Sequence, residues 1–230
     1  MSLLLYGILS EAGAPPFLGV TGVGGHRLEA VHAAGLLAVV SATDGLDREV
    51  ESAMCFGDVI ESIHKDRTLI PMRYGCVLPD RIAVKVLLEE RQAIYKARLS
   101  ELEGCVEMGI RIPAEPLEDS PARPDVANGR DYLQMRREIY SANEKAERAA
   151  DALDVALQGL YCKRVAEQGV FAGRPVYSIY YLVERPRLAS FRAAFDGMPV
   201  SDLRRWMSGP WPPYNFVTPL DPFLERIRGG

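Results

Sequence analysis

The sequence predicts an α+β fold in two domains, residues 1–103 and residues 104–230. Three observations lead there. Short apolar or alternating runs of strand length are interleaved with stretches whose apolar residues recur every three or four positions. Leu102-Glu-Gly104 closes the last helical stretch of the first half, and a fresh alternating run opens at Cys105. Beyond it the order is strand, long helix, strand, helix, strand, which predicts a modified ferredoxin-like sandwich with its helices on one face.

In the first domain, Leu3–Leu9 is an apolar run of strand length, closed by Ser10 and a Gly/Pro turn at Gly13–Pro16. Gly19–Gly25 is a glycine-rich loop. Gly35–Ala42 carries Leu-Leu-Ala-Val-Val, suited to a central strand. Asp47–His64 has helical spacing, with Val50, Met54, Ile60 and Ile63 on or near one face. Thr68–Tyr74 reads as a short strand that Pro71 confines to an edge. The second helix is expected to carry Pro79 in its first turn, where the missing N–H is no loss. It runs through Ile82, Val86, Ala93 and Ala97 to Leu102.

The second domain opens with Cys105–Ile112. Val106, Met108, Ile110 and Ile112 take one face and Glu107 and Arg111 the other, the pattern of a half-buried strand. Pro113–Asn128 holds four prolines and reads as a surface loop. The long helix starts near Asp131, with a narrow seam at Tyr132, Met135, Ile139, Ala142, Ala146, Ala149, Leu153, Ala156 and Leu160. Glu144 and Arg148 are spaced for an ion pair, and Gly159 bends or ends the helix. Val176–Val183 is β-branched and aromatic and predicts the strongest strand. A helix follows over Arg187–Asp196, anchored by Leu188, Phe191 and Phe195, and then a terminal strand over Gly209–Val217.

Composition narrows the function. Hydrophobic residues make up 48% and charged residues 25%, ordinary globular usage. The formal net charge is -4 and no basic stripe is visible, so nucleic acid is not an expected partner. No run approaches the roughly 20 apolar residues of a membrane span, and no membrane association is expected. The short apolar start lacks a basic flank and is broken by Gly7, so a cytoplasmic location is expected. Cys55, Cys76, Cys105 and Cys162 form no C-x-x-C pair, and buried, reduced thiols are expected. His26, His32 and His64 show no metal-ligand spacing. No catalytic residue, cofactor site or metal site is expected, and the chain does not read as an enzyme.

Three segments remain as candidates. Gly19-Val-Thr-Gly-Val-Gly-Gly-His26 resembles a phosphate loop only in its glycines, since no Lys-Ser/Thr pair and no convincing helix follow. It is the basis of an alternative reading, a small-ligand-binding or enzymatic protein. Arg73 stands at a strand end before Tyr74-Gly75, where it can hold a carboxylate or fix the turn. Gly209-Pro-Trp-Pro-Pro-Tyr-Asn-Phe-Val217 is the most informative. Pro210, Pro212 and Pro213 remove three donors, so the segment can join a sheet only at an edge or after Pro213. Trp211, Tyr214 and Phe216 make it either a plug for its own core, which the residue types favour, or a rigid binding ridge.

This last segment resembles the C-terminal signature of the gas vesicle protein F/L family. Leu5-Tyr6-Gly7-Ile8 resembles that family's opening strand, and Ile70-Pro-Met-Arg73-Tyr-Gly75 its Pro-x-Arg-aromatic-Gly turn. Leu102-Glu-Gly104, Glu107-Met-Gly-Ile-Arg-Ile112, Gly129-Arg-Asp-Tyr-Leu133 and Tyr181-Leu-Val183 resemble its later elements in order and spacing. Cys105 departs from the pattern, where a charged residue would be expected. The resemblance implies two α+β domains, the second a variant ferredoxin-type fold, and an accessory role in building gas vesicles. The implied partners are the hydrophobic shell protein and other accessory proteins, with the chain associated with the vesicle. For the contact surface the sequence offers Pro210, Trp211, Pro212, Pro213, Tyr214 and Phe216, with Tyr177, Tyr181 and Arg73.

Overall fold

The structure, a computed structural model, describes residues 2–12, 19–46, 49–113, 146–171, 174–198 and 205–217. Helix and strand are mixed, and the strands form two antiparallel sheets. The chain separates into two compact units. Among the described residues, those up to Val106 together with 211–217 form one, and those from Glu107 to Pro210 form the other.

In the first unit, β1 (Ser2–Ser10) and β3 (Leu36–Thr43) are the inner strands of a sheet ordered β2-β3-β1-β4. Leu36–Val40 are almost wholly buried, as a strand covered on both faces must be. The register of β1 on β3 shifts between Leu5 and Gly7, which leaves Tyr6 as the extra residue of a bulge. β2 (Leu28–Ala33), which the sequence reading did not assign, pairs with β3 through a turn with Ala34 at φ 54° and Gly35 at φ 74°. Two positive φ values match the right-handed twist of a two-residue hairpin. β4 (Ile70–Pro71) and β5 (Val77–Leu78) are two-residue strands beside β1.

The helices α1 (Val50–Asp66), α2 (Arg81–Glu90) and α3 (Gln92–Glu101) cover this sheet. α1 buries Phe56, Val59, Ile60 and Ile63; Val50 and Met54, assigned to the same face from sequence, are 68% and 63% exposed. The single second helix expected through Leu102 is two helices broken at Arg91. Asp80 caps α2 by accepting from the Ala83 N–H at 2.8 Å, so Pro79 lies ahead of the cap rather than in the first turn. Val84, Leu87, Leu88, Tyr95 and Leu99 face the core, and the stripe Ile82, Val86, Ala93, Ala97 faces outward.

The second unit's sheet has β6 (Cys105–Pro113), β7 (Lys163–Phe171), β8 (Arg174–Glu184) and β9 (Trp206–Trp211), ordered β7-β8-β6-β9. With helix α4 (146–156) after β6 and α5 (Leu188–Asp196) after β8, the order is β-α-β-β-α-β, the ferredoxin-like arrangement. β6 is interior, so Glu107 is buried at 3% exposure and the expected outer face is covered. The start of the long helix and Glu144 lie outside the described residues. In α4 and the turn after it the buried seam is Ala146, Ala150, Leu153 and Leu157, and Gly159 at φ 79° ends the element. β7 was not foreseen, because Lys163, Arg164, Glu167 and Gln168 mask its pattern. The terminal strand ends at Trp211 rather than continuing to Val217; Pro212-Pro213 stop it, and Tyr214–Phe216 form a 3₁₀ turn.

Candidate functional site

The glycine loop docks on its own sheet. The bulge aims Tyr6 into the unit, where its ring stacks on Phe56 at 4.7 Å. Its hydroxyl lies 3.1 Å from Ser41 Oγ and accepts from the Val23 N–H at 2.9 Å. The Gly22, Gly25 and His26 N–H groups donate to the carbonyls of His26, Gly22 and Val23. These four donors are therefore engaged within the protein, whereas an anion-binding loop keeps such donors for its ligand. A strand follows the loop, not a helix. A Cβ at Gly22 would run into the Tyr6 hydroxyl, so here glycine serves close approach.

Arg73 is exposed in the turn after β4, and its carbonyl accepts from the Cys76 N–H at 3.3 Å. The unit that holds Arg73 also holds Trp211, Pro212, Pro213, Tyr214 and Phe216. This C-terminal segment divides its labour. Pro212, Pro213 and Phe216 are buried, the plug of the two sequence-based readings. Trp211 is 43% exposed, Tyr214 is half-buried, and Pro210, in the other unit, is exposed.

Tyr177 and Tyr181 share one face of β8, being four residues apart. Tyr181 is fully buried, packs edge-on against Tyr161 and Phe191, and donates to Asp154 Oδ1 at 2.6 Å. Asp154 also pairs with Arg164 at 2.8 Å. Burial, and then the bond to Asp154, push the Tyr181 phenol well above its ordinary range. Tyr181 thus belongs to the core, and its side chain is closed to a partner; Tyr177 is half-buried.

The sequence reading missed the exposed apolar residues, because it gave their helical stripes to the core. Ile82 on α2 is 72% exposed, with Val86 one turn on, and Ile94 on α3, which lay outside that stripe, is 51% exposed. Cys162, expected to be buried, is exposed. Among the described residues no cluster of three or more His, Cys, Asp or Glu is placed to hold a metal ion, and no helix is long and apolar enough to cross a membrane.

The profile of the family described as "Gas vesicle synthesis protein GvpL/GvpF" matches residues 2–218. The chain belongs to that family. Gas vesicle protein L of a Streptomyces species is 29% identical over 230 residues, spanning 86% of each chain. Gas vesicle protein F1 of Halobacterium salinarum is 28% identical, over 100% of this chain and 98% of its own. The crystal structure of GvpF from Microcystis aeruginosa superposes with a TM-score of 0.73 at 20% identity, covering 94% of this chain and 98% of that one. This GvpL/GvpF member therefore has the fold of that structure and a gas vesicle-related role.

Proposed function

We propose that this chain is an accessory protein of gas vesicle assembly that binds the hydrophobic shell protein, other accessory proteins, or both, during nucleation and growth. Family membership across residues 2–218 carries the reading. The physical need is plain: a small, very hydrophobic subunit aggregates before it polymerises unless its apolar surface or strand edges are covered. Association with the vesicle, and retention as a minor component of it, follow from the same reading.

Of the residues offered from sequence, the accessible members in the first unit are Arg73, Trp211 and Tyr214, and they are the proposed contacts. Trp211 supports this best, a large aromatic side chain left 43% exposed beside prolines that stiffen its backbone. The test is complementation of a deletion strain by the Trp211→Ala chain. The expected result is reduced vesicle yield with an unchanged unfolding midpoint. Wild-type yield at wild-type stability would remove Trp211 from the contact surface.

A further inference from the structure

Among the described residues the second unit's sheet has two outer strands, β7 and β9, and they differ. β9 carries Pro210, which has no N–H, and Arg192 of α5 donates to its Gly209 carbonyl at 3.0 Å. A proline and a covering side chain are ordinary devices that keep an edge from pairing with another chain. β7 is nine residues long, contains no proline, and pairs with β8 without a bulge from Lys163↔Leu182 to Phe171↔Arg174. Lys163, Val165, Glu167, Gln168, Gly169 and Val170 are all exposed along it. Alternate N–H and C=O groups along such a strand point away from β8.

The charges on β7 form a pattern that is complementary to itself. Arg164 is turned to Asp154 of α4 at 2.8 Å, on one face of the sheet. Lys163, Val165 and Glu167 alternate onto the other face, where Glu167 accepts from the Tyr180 hydroxyl at 2.8 Å. That bond holds the carboxylate in place, and a carboxylate takes more than one donor. Lys163 and Glu167 thus stand two residues to either side of Val165 with opposite charge. An antiparallel copy of the strand, turned about a two-fold axis at Val165, brings each Lys163 opposite Glu167 of the partner subunit and Val165 opposite itself. Directly opposite residues share a face, so both ion pairs and the valine pair lie together. Neighbouring two-fold registers lose this match. Centring on Ala166 sets Lys163 against Gly169, and centring on Glu167 sets two carboxylates against each other.

We infer that β7 is a self-recognition edge: it pairs with β7 of a second copy of this chain about Val165, joining two four-stranded sheets into one. The contact is isologous, and Pro210 and Arg192 stop the sheet from growing at β9, so assembly closes at two copies. The overlap is short, so the dimer is weak and forms with rising concentration. This pairing goes beyond the vesicle role proposed above and does not depend on it.

The test is sedimentation velocity of the purified full chain across a wide concentration range, as wild type, Lys163→Glu, Glu167→Lys and the double exchange Lys163→Glu/Glu167→Lys. Each single change sets like charges against each other and is expected to weaken dimerisation at least tenfold. The double exchange restores opposite charges at both positions and is expected to restore the dimer. Lys163→Glu keeps the bond between Glu167 and Tyr180, and the double exchange lacks it, so rescue separates pairing from any effect of that bond on folding. Amide exchange of the wild type should slow across 163–167 as concentration rises. A chain that stays monomeric throughout overturns the inference. So does a dimer that survives both single changes, or one that the double exchange fails to restore.

Discussion

Tyr6 shows how one side chain organises a region. A bulge turns it inward, Phe56 stacks on it, and its hydroxyl holds the glycine loop through Val23 N–H. Gly22→Ala forces a methyl group against that hydroxyl. The expected loss is about 1–3 kcal/mol, read as a lower urea midpoint at constant slope. Tyr181 carries a second prediction. Its phenol is raised in the folded protein by burial and by Asp154. A folded pKa above the unfolded value of about 10 means that its stabilisation is whole below pH 10 and lost as pH climbs beyond it. Tyr6 and Tyr180 are raised as well, chiefly by burial. Stability should therefore fall above pH 10, and Tyr181→Phe should make that fall shallower, as followed by thermal unfolding across the alkaline range.

At the scale of elements, helices were legible and their faces were not. The periodicity of α1, α2 and α3 is real, yet Val50, Met54, Ile82 and Val86 lie on the outside. Apolar residues occur on both sides of these helices, and spacing alone cannot say which side meets the sheet. Ile82→Ser should change stability by less than about 0.5 kcal/mol. Leu87→Ala should cost about 2–5 kcal/mol, because Leu87 is fully buried. Denaturant titration separates the two. β1, β3 and β8 were readable as dense apolar or β-branched runs. β2 and β7 were not. β2 buries Leu28 and Val31 three apart and turns at Ala34-Gly35 instead of a usual Asn-Gly, and β7 is an edge strand rich in charge. The proline block at 210–213 was correctly confined to an edge, but its strand lies before the prolines' end, not after it.

At the scale of the molecule, strand order β7-β8-β6-β9 agrees with the ferredoxin-like arrangement anticipated from element order. The candidate contacts were legible only in part. Trp211 and Arg73 stay exposed, while Phe216 and Tyr181 serve the core, because aromatic residue type does not distinguish a plug from a ridge. The central proposal is that this chain binds the shell protein, other accessory proteins, or both, during vesicle assembly. Co-purification of the tagged chain with co-expressed shell protein tests it most directly, with the other accessory proteins as further prey. The account predicts recovery of the shell protein, of other accessory proteins, or of both, and loss of that recovery with Trp211→Ala at unchanged stability. A chain that brings down neither the shell protein nor any accessory protein would contradict it.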